Sequence, residues 1–408
     1  MTVVHIAYKY GENNTGGAAI ASTRLHKAML RAGVNSHYIC VHREESEGTD
    51  VHELPNGFKR KLFLFLTKVF RGIWKFTKFR KSIFMNVVPL WGLEKLLCSI
   101  KPDVVHIHWL NADVASFEQI AKLPYPIVFN LHDLCIVNAI EAHPFSDARI
   151  QLGYTKENSN FLERWLFNRK QKMFSSLKKF SFIGPSEWAC KVCQLSLLGN
   201  KHNATSISNL VNSAFMEPAD IVKDCKNKFF TIVFGAYGGR GNNYKGFSDF
   251  SSALKLLSKK EKENSRLLIY GENGEPCLIE GIETEFLGVI HSPSQMIDVM
   301  KIADVFAFPS RAETQGMAKV EALLCGGPVV SFNRTACAEG ISHRVNGWIA
   351  EDGDINSFAN GIRYFYNKWE SNELDNIKYQ IQAAAKSCYS ESGIVEKIIH
   401  EYEGLIKE

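Results

Sequence analysis

Residues 307–332 read AFPSRAETQGMAKVEALLCGGPVVSF, and this stretch decides the fold. An apolar run closes at Pro309, a short loop carries Glu313, and a helical pattern starts near Gly316. Glu321 follows on that helix, and a Gly-Gly-Pro turn then leads into a second apolar run, PVVSF from Pro328. Strand, loop, helix and strand in this order belong to a parallel sheet covered on both faces. Ligands bind beyond the carboxyl ends of such strands, where a helix N-terminus offers free N–H groups and a positive dipole end to an anion.

The same rhythm runs outward in both directions. Upstream runs are VVHIAY from Val3, SHYICV from Ser36, DVVHIHW from Asp103, PIVFN from Pro126, FSFIG from Phe180 and TSISN from Thr205. FFTIVFGA from Phe229, RLLIYG from Arg266, TEFLG from Thr284 and DVFAFP from Asp304 accompany the deciding stretch. With 408 residues, two doubly wound α/β domains of about 200 residues each are expected. A polar stretch over 212–228 breaks the pattern. The expected division is therefore residues 1–212, residues 213–390, and a last helix over 391–408 packing back on the first domain.

A formal charge of +5 is too mild to imply nucleic acid. MTVVHIAYKY at the N-terminus reads as a buried strand without a basic leader, and no apolar run is long enough to cross a membrane. Ten scattered cysteines fit a reducing compartment, and the C-x-x-C of Cys190 and Cys193 lies in a helical pattern where packing explains it. The expected location is cytoplasmic.

Residues 58–93 contain no acidic residue but nine cations: Lys59, Arg60, Lys61, Lys68, Arg71, Lys75, Lys78, Arg80 and Lys81. Leu62, Phe65, Leu66, Val69, Ile73 and Phe76 fall on one helical stripe, widened by Phe63, Phe70 and Trp74. A basic amphipathic helix of this kind suits an anionic membrane surface, which makes the protein peripheral on the cytoplasmic face of the plasma membrane. The competing reading is an ordinary surface helix packed on the first sheet.

FGAYGGRGNNYKGF, from Phe234, is a strand end followed by a glycine-rich loop with Arg240 and Lys245. No G-K-[ST] follows, so it is not a Walker loop. Two cations on such a loop can neutralise a diphosphate without a metal. Gly16 and Gly17 after the first strand set another helix N-terminus at the same kind of position. His106 and His108 form an H-x-H that lacks a convincing third ligand, and Asp352-Gly353-Asp354 reads as a polar turn, so no metal site is expected.

Together these elements resemble the retaining glycosyltransferases of the family 4 grouping, whose GT-B fold places two Rossmann-like domains face to face. E-T-Q-G-M-A-K-V-E matches their E-x7-E signature, and Arg240 with Lys245 matches their cationic loop. The resemblance implies that Glu313 binds donor-sugar hydroxyls, Glu321 clasps the ribose, and Arg240 and Lys245 hold the pyrophosphate. It implies backbone contacts at Gln315, Gly316, Met317 and Ala318, phosphate approach at Gly17, and nucleobase contact near Ile290. His132 is implied to face the reacting sugar, with Gly16, His108, Trp109 and Asp133 on the acceptor side. Ser186 and Asn209 lie in similar elements near the hinge.

The expected activity is transfer of a hexose, with retention, from a UDP- or GDP-sugar to a lipid-linked saccharide in surface-polysaccharide assembly such as O-antigen, lipopolysaccharide or capsule. An epimerase acting on the nucleotide sugar, or a non-catalytic nucleotide-sugar-binding module, is the alternative. Gln315 stands where the family often carries an aromatic or small apolar residue, which puts donor-sugar choice in doubt.

Overall fold

The computed structural model describes residues 1–12, 16–46, 48, 50–73, 84–110, 113–141, 147–217, 228–235 and 238–407. They form two compact units, Met1–Leu210 with Ser392–Glu408, and Val211–Glu391.

The first unit is built on seven strands: β1 Thr2–Tyr10, β2 Asn35–Arg43, β3 Val51–Glu53, β4 Val104–Ile107, β5 Ile127–Asn130, β6 Phe180–Gly184 and β7 Ala204–Ser206. Their order is β3-β2-β1-β4-β5-β6-β7, and every pairing is parallel. Alternate residues leave opposite faces of a strand. Val4, Ile6, Val105, Ile107, Ile127 and Phe129 pack under the helices Leu93–Ile100 and Phe161–Ser176. Val3, Val104, Val128 and Ile183 face the helix Gly17–Arg31 and the C-terminal helix Glu391–Lys407. Ile394, Val395, Ile398, Tyr402 and Leu405 are all buried there. At about 2 kcal/mol per buried apolar side chain this is roughly 10 kcal/mol before entropy, enough to hold the helix on this sheet.

The second unit has β8 Phe230–Gly235, β9 Ser265–Tyr270, β10 Cys277–Ile279, β11 Ile282–Phe286, β12 Val305–Phe308, β13 Val329–Phe332 and β14 Gly347–Ala350. The order is β10-β11-β9-β8-β12-β13-β14, parallel except for the β10–β11 hairpin. One face buries Ile232, Phe234, Leu267 and Val305 with Phe250, Phe358 and Phe365. The other buries Val233, Leu268 and Phe306 with Val320, Leu323 and Ile381. The strand order reverses between β1 and β4 in the first unit and between β8 and β12 in the second, which are the crevices where open α/β sheets take ligands.

Cys190 and Cys193 are buried packing residues on the helix Glu187–Leu195. Asp354 caps the helix Ile355–Glu370 by accepting from Ser357 N–H, and Asp352 pairs with Arg334, so this D-x-D is a turn. Ser186 caps Glu187–Leu195.

The basic segment is helical over Gly57–Ile73, and its residues 74–83 lie outside the described ones. Phe63 and Thr67 are buried and Leu66 packs against the core, while Phe58 (79% exposed), Leu62, Phe65 (61%) and Val69 face solvent with Lys59, Lys61 and Lys68. Leu66 therefore leaves the stripe expected for it, because this helix is apolar on more than one face and periodicity does not say which face turns in.

Candidate active site

In the second unit the loop after β8 and the loop after β12 flank the reversal point. Gly246 (φ +69°) lets them touch, since a Cβ there would lie 2.0 Å from the Pro309 carbonyl oxygen. Arg311 N–H donates to the Tyr244 carbonyl at 2.7 Å. This stitching brings Lys245 Nζ to 2.6 Å from Glu313 Oε1. A cation and a carboxylate expected from sequence to serve one ligand thus share one place.

The helix Met317–Leu324 begins beside them. Gly316 is left-handed (φ +82°), and a Cβ there would sit 2.6 Å from Phe308 Cζ, so both backbone and space require glycine. Its carbonyl accepts from Lys319 and Val320, so the Met317 and Ala318 N–H groups have no acceptor within the helix. Glu321 lies on the first turns, whereas Glu313 to Gly316 is loop. The two glutamates are not the ends of one continuous helix. Burial raises the Tyr270 phenol, and the charges of Glu321 and Glu313 raise it further. Gln315 is buried and Ile290 packs on the core below.

Arg240, on the loop after β8, is held by Glu272. Its backbone N–H donates to Glu272 Oε2 and its Nε to Oε1, both at 2.6 Å, and the guanidinium stacks 4.7 Å from the Phe286 ring. Gly239 admits this carboxylate, since a Cβ would lie 2.1 Å from Glu272 Oε2. To meet a phosphate, the Arg240 guanidinium must exchange Glu272 for it.

The Glu313 loop is held from behind. Glu313 N–H donates to Thr335 Oγ1 at 3.1 Å, and its carbonyl accepts from Ala336. Lys319, almost wholly buried, points its ammonium into the carbonyls of Ala336, Cys337 and Glu339 at 2.8, 3.1 and 2.6 Å. Burial pulls this lysine down to about 8. Tyr270, Glu272, Thr335 and Lys319 escaped the sequence reading because their partners lie 17 or more residues away and no local spacing marks them.

In the first unit, Gly16 precedes the helix Gly17–Arg31, and a side chain at Gly16 or Gly17 would meet nothing within 4 Å among the described residues. That helix start has no side-chain cap, and its backbone is open to approach. His132, after β5, meets Asn130 Nδ2 at 2.7 Å and His108 Nδ1 at 3.2 Å through its Nε2. Burial holds its imidazole down at about 3, so it is neutral at physiological pH.

Asp133 accepts from Trp109 Nε1 at 2.7 Å and from the Cys135 N–H. Trp109 and Asp133 line a cavity with Lys170, whose ammonium is caged by the carbonyls of Cys135, Asn138 and Ala139. His108 lines the same cavity as Trp109 and Asp133. It is buried, with Nε2 on His5 and Nδ1 on His132, so it supports His132 from below.

Two family models match the chain: "Glycosyltransferase Family 4" over residues 15–191 and "Glycosyl transferases group 1" over residues 226–384. An uncharacterized glycosyltransferase of Haemophilus influenzae is 24% identical over 220 residues, 52% of this chain and 58% of that one. The capsular polysaccharide biosynthesis glycosyltransferase CapM of Staphylococcus aureus is 24% identical over 180 residues, covering 42% and 46%. A Campylobacter jejuni enzyme named as an N,N'-diacetylbacillosaminyl-diphospho-undecaprenol alpha-1,3-N-acetylgalactosaminyltransferase is 26% identical over 169 residues, covering 40% and 43%. The chain spans about half the length of these curated relatives.

Among solved structures, a sucrose-phosphate synthase from Thermosynechococcus elongatus superposes with a TM-score of 0.65 at 15% identity, over 100% of this chain and 99% of that one. Anabaena HepE in complex with UDP-glucose gives 0.62 at 16% identity over 99% and 100%.

Proposed function

Since the chain belongs to the GT-B glycosyltransferases, we propose that it transfers a hexose from a UDP- or GDP-sugar to a hydroxyl of a lipid-linked saccharide, with retention of configuration. The observation that carries this reading is the 2.6 Å contact of Lys245 with Glu313 beside the open N-terminus of the helix Met317–Leu324. An anionic diphosphate fits there by drawing Lys245 off Glu313, which frees the glutamate for sugar hydroxyls. Met317 and Ala318 N–H groups face the phosphates, and Glu321 takes the ribose. Arg240 joins by leaving Glu272.

In the reaction, the anomeric carbon–oxygen bond to the diphosphate breaks as the acceptor oxygen attacks from the face being vacated. The acceptor proton passes to the departing phosphate oxygen. Lys245 and the helix N-terminus stabilise the charge that accumulates on the diphosphate. Neutral His132 serves as a hydrogen-bonding partner of the reacting sugar. Capsular and undecaprenyl-linked activities in the relatives' names support a surface-glycan role. Calorimetry against UDP, GDP and ADP, followed by NMR of the product's anomeric proton, tests the reading. It requires a nucleoside diphosphate to bind and the anomeric configuration to be kept. Free altered sugar released without acceptor would instead indicate the epimerase, and an inverted product would refute the proposed chemistry.

The acceptor's lipid suggests a membrane surface, and the exposed row Phe58, Leu62, Phe65 and Val69 among lysines supports one. No helix among the described residues is long and apolar enough to cross a membrane. Phe58→Asp with Phe65→Asp is expected to abolish co-sedimentation with anionic vesicles at low salt while leaving soluble-acceptor turnover intact. Undiminished vesicle binding by this variant would remove the helix from the membrane contact.

A further inference from the structure

The first unit holds a constellation that the transfer chemistry does not use. In sequence the H-x-H of His106 and His108 has no third ligand. The sheet supplies one, because His5 on β1 is the register partner of His106 on β4. Alternation puts His108 on the same face. One ring nitrogen from each of His5, His106 and His108 lies within 4.8 Å of the others, and all three side chains are buried.

Two ring nitrogens of these histidines ask for a partner. His5 Nε2 and His106 Nε2 are buried and make no hydrogen bond among the described residues. Buried polar atoms of folded proteins are nearly always met by protein, water or an ion. His106 also lines a cavity with His108, Asn130, Ser208 and Asn209. The outer contacts resemble those that orient metal-binding imidazoles: Tyr402 Oη lies 2.6 Å from His106 Nδ1, and His132 Nε2 lies 3.2 Å from His108 Nδ1.

We propose that His5, His106 and His108 bind one divalent transition ion of the zinc class, with a fourth position facing the cavity. Zinc–nitrogen bonds of ~2.0–2.1 Å set tetrahedral ligand nitrogens about 3.3 Å apart. With His5 binding through its orphaned Nε2, the present His5 Nδ1 to His108 Nε2 contact of 2.9 Å breaks as His108 Nε2 turns to the ion. Three imidazoles without a carboxylate disfavour calcium and magnesium. A hydroxide in the fourth position lowers the buried charge.

Metal on His108 Nε2 forces its proton to Nδ1, so His108 donates to His132 Nε2. The remaining His132 proton is then fixed on Nδ1. The ion thus ties β1 to β4 and sets the tautomer of the histidine assigned to the reacting sugar.

The test uses the full chain, stripped with a chelator and titrated with Co²⁺ and then Zn²⁺. Expected are the intense visible bands of four-coordinate, nitrogen-ligated cobalt, saturation at a single ion per chain, and displacement by zinc. His5→Gln and His106→Gln should each weaken Zn²⁺ binding by more than the ~10–100-fold typical of losing an outer partner, with far-UV circular dichroism unchanged. Absent cobalt bands in the parent chain would overturn the proposal without reference to any variant. Thiolate charge-transfer bands, or undiminished binding in folded variants, would also overturn it.

Discussion

Replacing Lys245 by alanine is expected to lower kcat/KM for the nucleotide-sugar donor about a thousandfold. A charge pair near 4 Å at an effective dielectric of 20 is worth ~4 kcal/mol, and each ~1.4 kcal/mol is tenfold in rate. The loss should fall on kcat as well as donor affinity, because negative charge on the diphosphate grows toward the transition state. Removing the lysine also leaves Glu313 without its 2.6 Å partner, so a carboxylate would face the incoming phosphates unscreened. Lys245→Arg should recover part of the rate. Steady-state kinetics with donor varied at saturating acceptor provide the measurement. A variant within about tenfold of the parent would mean that the diphosphate is not gripped here.

Replacing Lys319 by alanine is expected to cost the second unit about 3–5 kcal/mol, since each buried carbonyl left without a donor costs about 1–3 kcal/mol. Three carbonyls, those of Ala336, Cys337 and Glu339, would lose their donor together. At about 2–4 °C per kcal/mol for a unit of this size, Tm should fall by roughly 10 °C. Donor KM should rise too, because the loosened segment carries Thr335 and Ala336, which hold Glu313. Thermal unfolding followed by tryptophan fluorescence reads the first effect. An unchanged melt would mean that the ammonium does not organise the loop.

The central strands were legible because each is a short apolar run with both faces covered; β1, β4, β5, β8, β12 and β13 all fall where the hydrophobic runs put them. β3, β10 and β14 escaped. They lie at or beside sheet edges, have three or four residues each, and include partly or fully exposed positions, so their hydrophobic signal is weak. Within the candidate site, Lys245 and Glu313 stand out in the sequence because each sits in a loop whose own spacing marks it. Glu272 was not, because its claim on Arg240 depends on how the loops after β8 and β9 fold together. His5 was hidden for a similar reason: only strand register sets it beside His106, about a hundred residues away.

Lys170 and Lys319 do the same job in different halves of the chain, each closing a loop with one ammonium and three main-chain oxygens. A clasp of this sort is made from an atom the polypeptide always carries. It needs no oxidant to form, no chelatable ion to persist, and none of the nine free thiols seen among the described residues. Either loop would therefore keep its shape through swings in redox balance or metal supply that would undo a crosslinked counterpart.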